Sequence, residues 1–190
     1  LMLLGATFMR GFREVIGMAV AIVGVYLALN LLVVGFGLRF LLTHPDRFQQ
    51  WWSRVAAGDW HLEHVPLEGH SLGVMIAVSL LVFPKLALGL SGFETGVAVM
   101  PLIRGNPDDD PAQPQGRIRN ARKLLVTAAA IMSFFLLGSA IVTATLIPPS
   151  DIHTEGKARN RALAYLAHGE APDAIAPFFG EIFGTAYDIS

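Results

Sequence analysis

The residues best placed to do chemistry lie between Lys85 and Glu94, in the run Lys-Leu-Ala-Leu-Gly-Leu-Ser-Gly-Phe-Glu. A hydrophobic stretch is interrupted there by Gly89, Ser91 and Gly92, and the acid Glu94 follows at once. Lipid offers no hydrogen-bond partners, so a spanning segment normally stays helical throughout. Glycines and charges in such a segment cost stability and are tolerated where helical backbone opens onto a cavity that binds something. Exposed carbonyls and amides at the break around Gly89, Ser91 and Gly92 would then hold an ion or a zwitterion. Lys85, Gly89 and Gly92 share a helical face at i, i+4 and i+7. The competing reading is that the glycines only let two helices pack closely. Lys85 has two roles open to it. A lysine near the midplane can carry a proton or replace a coupling cation, or it can snorkel to the interface.

These residues need a membrane around them, and the composition supports one. The chain has 190 residues, 53% hydrophobic and 15% charged, against about 25% charged in soluble domains. The net charge of −1 gives no field for nucleic acid, and the absence of cysteine excludes disulfides and thiolate metal sites. No nucleophile–base pair, glycine-rich phosphate loop or metal-ligand cluster is visible, so no enzyme activity, cofactor or metal is expected. The chain starts at Leu1 without a signal peptide and stops at Ser190 after an aromatic and polar run. It reads as a fragment of a longer protein.

Three apolar segments are expected to span: about 15–42, 72–103 (discontinuous near 89–92) and 124–146, the last stopped by Pro148-Pro149. The expected fold class is an all-α membrane protein with a single partial transmembrane domain over 1–190. Seven basic residues (Arg10, Arg13, Arg104, Arg117, Arg119, Arg122, Lys123) lie on one side of these spans and six (Arg39, Arg47, Arg54, Lys157, Arg159, Arg161), more dispersed, on the other. The denser side should be cytoplasmic. The chain then crosses outward, back and outward again, leaving residues 150–190 as an external tail. Short tail helices are expected from about Lys157 to His168, stopped by Gly169, and from about Ala174 to Phe183.

Other polar residues have plainer expectations. Asn30, deep in the first span, should hydrogen-bond a neighbouring helix. Thr127, Ser133, Ser139, Thr143 and Thr145 should bond back to their own helix. His44, His61, His64 and His70 sit in a polar connection from Thr43 to Ser71 without a ligand set for metal. Trp51, Trp52 and Trp60 there form an interfacial belt. Asp108-Asp109-Asp110 reads as a solvated loop, and Arg117 to Lys123 as an anchor to lipid headgroups.

The order of these features resembles amino acid–polyamine–organocation permeases. Gly92-Phe93-Glu94, after a small polar residue and before an apolar stretch, is similar to the family's broken sixth helix and its aromatic-Ala-x-x-Gly-Phe-Glu pattern. Gly11-Phe12-Arg13-Glu14 would open helix five, and Pro177-Phe-Phe-Gly-Glu-Ile-Phe-Gly-Thr-Ala-Tyr-Asp188 would lead into helix eight. The resemblance implies a leucine-transporter-like inverted repeat working by alternating access in the plasma membrane. Substrate would face Gly89, Leu90, Ser91 and Gly92, with Phe93 near a gate and a proton or sodium ion as coupling ion. An amino acid is the expected substrate. Potassium-importing relatives share the pattern, and a non-transporting protein with glycine-mediated packing is a third reading. Pro84 and Lys85 depart from the family, and helix one, which would carry half the site, is absent.

Overall fold

The computed structural model describes residues 12–59, 69, 71–89, 100–106, 109, 114–152 and 156–189. Its regular elements are helices, and no strand occurs among the described residues. In chain order they are α1 (Phe12–Thr43), α2 (Pro45–Ala56), α3 (Leu72–Gly89), a 3₁₀ turn (Met100–Leu102), α4 (Gln115–Leu146), α5 (Pro149–Ile152), α6 (Ala162–Ala167) and α7 (Glu181–Ile189). They divide into two compact units, Leu1–Phe48 with Phe135–Ser190, and Gln49–Phe134.

Two helices are long and apolar enough to cross a membrane, over Ile16–Thr43 and Gln115–Leu146. Only 17% and 11% of their most apolar windows are buried. A core helix of a water-soluble domain is covered on its apolar side. Here Val20, Leu31, Val126 and Leu137 stand exposed, which suits hydrocarbon surroundings.

Local chemistry sets the ends of α1 and α4. At the end of α1 the Thr43 hydroxyl donates to the Phe40 carbonyl at 2.9 Å, and the His44 ring stacks on Phe40 at 4.2 Å. Pro45 then opens α2 from its first position, where a missing N–H costs nothing. In α4 the hydroxyls of Ser139, Thr143 and Thr145 donate back to carbonyls of Leu136, Ser139 and Ile141 at 3.1, 2.7 and 2.6 Å. That is the expected use of these side chains.

In the first unit α1 and the end of α4 touch through glycine. A Cβ built on Gly37 would meet Val142 Cγ1 at 2.5 Å, and one on Gly138 would meet Val34 Cγ1 at 2.6 Å. Each glycine receives a valine of the other helix. The two registers advance together, so the helices run the same way where they meet. Val33, Val142, Leu146, Ile147, Tyr165 and Leu166 form the buried centre.

The chain after α4 folds back along α1. Arg47 pairs with Asp173, Phe36 meets Phe178 edge-on at 4.9 Å, and the Tyr26 ring lies 6.4 Å from that of Tyr187. Residues 173 to 187 thus descend beside α1 from residue 47 to residue 26. The tail helices are shifted from expectation. Asn160, at φ 59, sits in the left-handed region and delays α6 to Ala162. Gly169, at φ 68, ends it as expected. Pro177 forbids helix through its neighbourhood, so the expected helix over 174–183 is replaced by turns and by α7 from Glu181.

In the second unit Ser71 caps α3, with its Oγ accepting from the Val74 amide at 3.3 Å. Pro84 lies inside α3 and removes one intrahelical bond.

Candidate functional site

The sequence points first to Lys85–Glu94. The structure places Lys85 and Gly89 in the last turns of α3, and of Lys85 only the helical backbone is described. Leu90, Ser91, Gly92, Phe93 and Glu94 lie outside the described residues, as do Trp60, His61, His64 and His70. What the structure contributes here is the approach: apolar helix, with an internal proline, running from Leu72 to Gly89 at the edge of the Leu-Ser-Gly-Phe-Glu run.

A second polar locus is built in full within the first unit. Asn30 is 4% exposed in the middle of α1. Its Nδ2 donates to the Tyr26 carbonyl of its own helix at 2.8 Å. Its Oδ1 accepts from the Tyr187 hydroxyl of α7 at 2.9 Å. The neighbouring helix expected to meet Asn30 is therefore α7. Beside this pair opens a cavity of about 950 Å³, whose wall includes Tyr26, Thr143, Arg159, Asn160 and Tyr187. Ala140, Ala144 and Leu163 supply apolar wall.

The third tyrosine of the chain, Tyr165, is 2% exposed and donates to Asp151 Oδ2 at 2.7 Å. Burial, then the hydrogen bond and charge of Asp151, push its phenol up to about 12. The phenol of Tyr187 is likewise pushed up to about 12, by burial first and then by the neighbouring Tyr26. Both hydroxyls therefore remain donors at neutral pH. Nearby, His168 Nε2 lies 2.9 Å from Asp188 Oδ2, and Arg161 pairs with Glu170. Sequence reasoning missed these partners because they join residues far apart in the chain. The available signal was that Tyr187 and Asp188 stand among the apolar Ile182, Phe183, Ala186 and Ile189.

The third locus is the start of α4 in the second unit. Asp109 is not simply solvated. Its carboxylate accepts from the amides of Gly116 at 2.9 Å, and of Arg117 and Asn106 at 3.0 Å each. Desolvation raises its pKa. The three amide bonds and the positive Arg119 together outweigh that and hold the carboxyl below the usual value. Arg117 turns inward, donating to the carbonyls of Met100 at 3.2 Å and Pro101 at 2.8 Å. Asn120 donates to the Arg104 carbonyl at 3.0 Å. Among the described residues no group of three His, Asp or Glu side chains gathers as a metal site.

No family model matches this chain, and neither the curated proteins nor the solved structures contain a match to it.

Proposed function

We propose that this chain serves secondary active transport across the plasma membrane as part of a multi-pass protein, carrying an amino acid or related organic cation by alternating access. One observation carries the reading. An apolar helix leads directly into Gly89-Leu-Ser-Gly-Phe-Glu94, where backbone groups can meet a ligand and an acid stands beside them. Two further apolar helices long enough to span support a membrane setting. The likeness to amino acid–polyamine–organocation permeases supports the substrate class. A proton or sodium ion would supply the driving gradient, with Lys85 or Glu94 as the group that exchanges or balances charge.

The test is uptake into vesicles by the protein with Gly92→Leu or Glu94→Gln. Leucine at position 92 places a side chain where ligand must approach backbone and favours continuous helix. Glutamine at position 94 keeps size and removes a charge whose burial is costly without a role. Both variants are expected to insert and to lose most transport, whereas His61→Ala and His64→Ala transport nearly normally. Loss with the histidine variants alone would place the site elsewhere. Uptake of rubidium in place of labelled amino acids would assign potassium import instead.

The reading as a non-transporting membrane protein has one observation in its favour: glycine does mediate helix packing here, at Gly37 and Gly138. Equal uptake with and without protein would establish it.

A further inference from the structure

The basic residues around the start of α4 are not equivalent. Arg117 is consumed inside the fold by two carbonyls. Arg104, Arg119, Arg122 and Lys123 are exposed, and none of them forms a salt bridge among the described residues, Arg119 acting on Asp109 through its charge alone. Arg119, Arg122 and Lys123 stand at i, i+3 and i+4, so they share one face of α4. Leu124 follows directly and opens the apolar run. The four charges therefore lie where a spanning α4 leaves the hydrocarbon. Their setting is also held in place. Asp109 ties Asn106 to the first turn of α4, Arg117 ties down Met100 and Pro101, and Asn120 holds the backbone of Arg104 against the helix. The nearest described acid, Asp109, already accepts three amide bonds.

We propose that Arg104, Arg119, Arg122 and Lys123 form a docking face for the headgroups of anionic phospholipids. The occupant follows from charge and place: several exposed cations adjoining an apolar span match a phosphate layer adjoining hydrocarbon. Each such residue near an anionic surface multiplies binding roughly fivefold. The inference rests on α4 spanning a membrane.

Native mass spectrometry of the detergent-solubilised full chain, titrated with phosphatidylglycerol or phosphatidylcholine, tests it. Wild type is expected to retain phosphatidylglycerol in preference. Arg119→Gln/Arg122→Gln/Lys123→Gln should weaken that retention about tenfold or more and leave phosphatidylcholine unchanged. Arg119→Lys/Arg122→Lys should keep most of it, because charge is what the face supplies. Arg39→Gln/Arg54→Gln/Lys157→Gln, which removes as much charge elsewhere, should keep the preference. Equal loss in both triple variants, or loss in neither, overturns the proposal. Equal competition by soluble glycerol 3-phosphate overturns it too, since the face would then be a free-anion site. If the glutamine triple variant fails to fold, wild type decides alone. Its phosphatidylglycerol retention must fall as salt rises from about 0.05 M to about 0.5 M, where screening shortens from over 10 Å to a few ångströms. Alkaline carbonate extraction separates the two readings. A chain released into solution sinks the membrane reading, and a chain held in the pellet without lipid preference sinks this inference alone.

Discussion

At the scale of single residues, the buried polar side chains among the described residues, Asn30 and Thr145, have partners. Asn30 and Tyr187 show how such a pair should respond to substitution. Tyr187→Phe leaves Asn30 Oδ1 without its donor at a nearly closed site, and an unpaired buried acceptor costs about 1–3 kcal/mol. Asn30→Leu/Tyr187→Phe removes both needs together and should be much closer to wild type. A double-mutant cycle on detergent-solubilised protein, read by thermal unfolding, is expected to show coupling of about 1 kcal/mol. Additive losses would mean that the bond contributes nothing. Tyr165 gives a pH signature. Its folded pKa of about 12 stands above the ordinary 10, so the folded state holds the proton more tightly. The stability this contributes is complete below pH 10 and is lost as pH rises from 10 towards 12. Tyrosinate absorbance should show late ionisation and a melting temperature that falls across that window. Tyr165→Phe should make the fall shallower, leaving the share that Tyr187 contributes over the same window. A slope unchanged in that variant would assign the alkaline loss to other groups.

At the scale of elements, what was legible in the sequence is what local rules decide. The two long apolar helices, the back-bonding of Ser139, Thr143 and Thr145, and the stop at Gly169 follow from hydropathy, side-chain reach and glycine's tolerance of positive φ. Helix α2 was hidden in a segment read as polar connection. Its evidence was Pro45 at the first position, Asp46 in the first turn and Arg54 in the last, signals that hydropathy alone passes over. The tail helices moved because Asn160 and Pro177 impose backbone geometry that a composition-based reading ignores. The glycine contacts were illegible for another reason: Gly37 and Gly138 look no different in sequence from Gly24, which has nothing within 4 Å of a built Cβ. That contrast is testable. Gly138→Leu should force Val34 away and separate α1 from α4, costing roughly 1–3 kcal/mol as overpacking does. Gly24→Ala should be neutral or stabilising, by up to about 1 kcal/mol from helix propensity. Thermal unfolding of the two variants checks this, and equal losses would mean that α1 and α4 do not meet at Gly138. For α4 itself, Asp109→Ala removes the acceptor shared by three amides. Proteolysis within residues 100–106 should quicken in that variant, and in wild type as pH falls through the lowered pKa of Asp109. An unchanged cleavage rate would show that the loop is held by Arg117 and Asn120 without it.

At the scale of the whole molecule, the glycine contacts constrain topology. Val34 meets Gly138 and Gly37 meets Val142, so α1 and α4 run in the same direction through whatever surrounds them. If both cross a bilayer, both enter from one face and leave by the other, and the chain between Thr43 and Gln115 must cross back. α3 and the residues after it are the apolar stretch available for that return. Eighteen residues of α3 rise about 27 Å, slightly short of a hydrocarbon core of about 30 Å. The absence of cysteine from the chain makes the arrangement open to single-cysteine labelling without background. With an impermeant maleimide on sealed, oriented vesicles, Arg13→Cys and Gln115→Cys are expected to react from the same side. Ser53→Cys and Ser150→Cys should react from the other. The density of basic residues at Arg10, Arg13 and Arg104 to Lys123 predicts that the first pair faces the cytoplasm. Labelling of Arg13→Cys and Gln115→Cys from opposite sides would break the parallel pairing and, with it, the requirement that the chain between the two helices cross back.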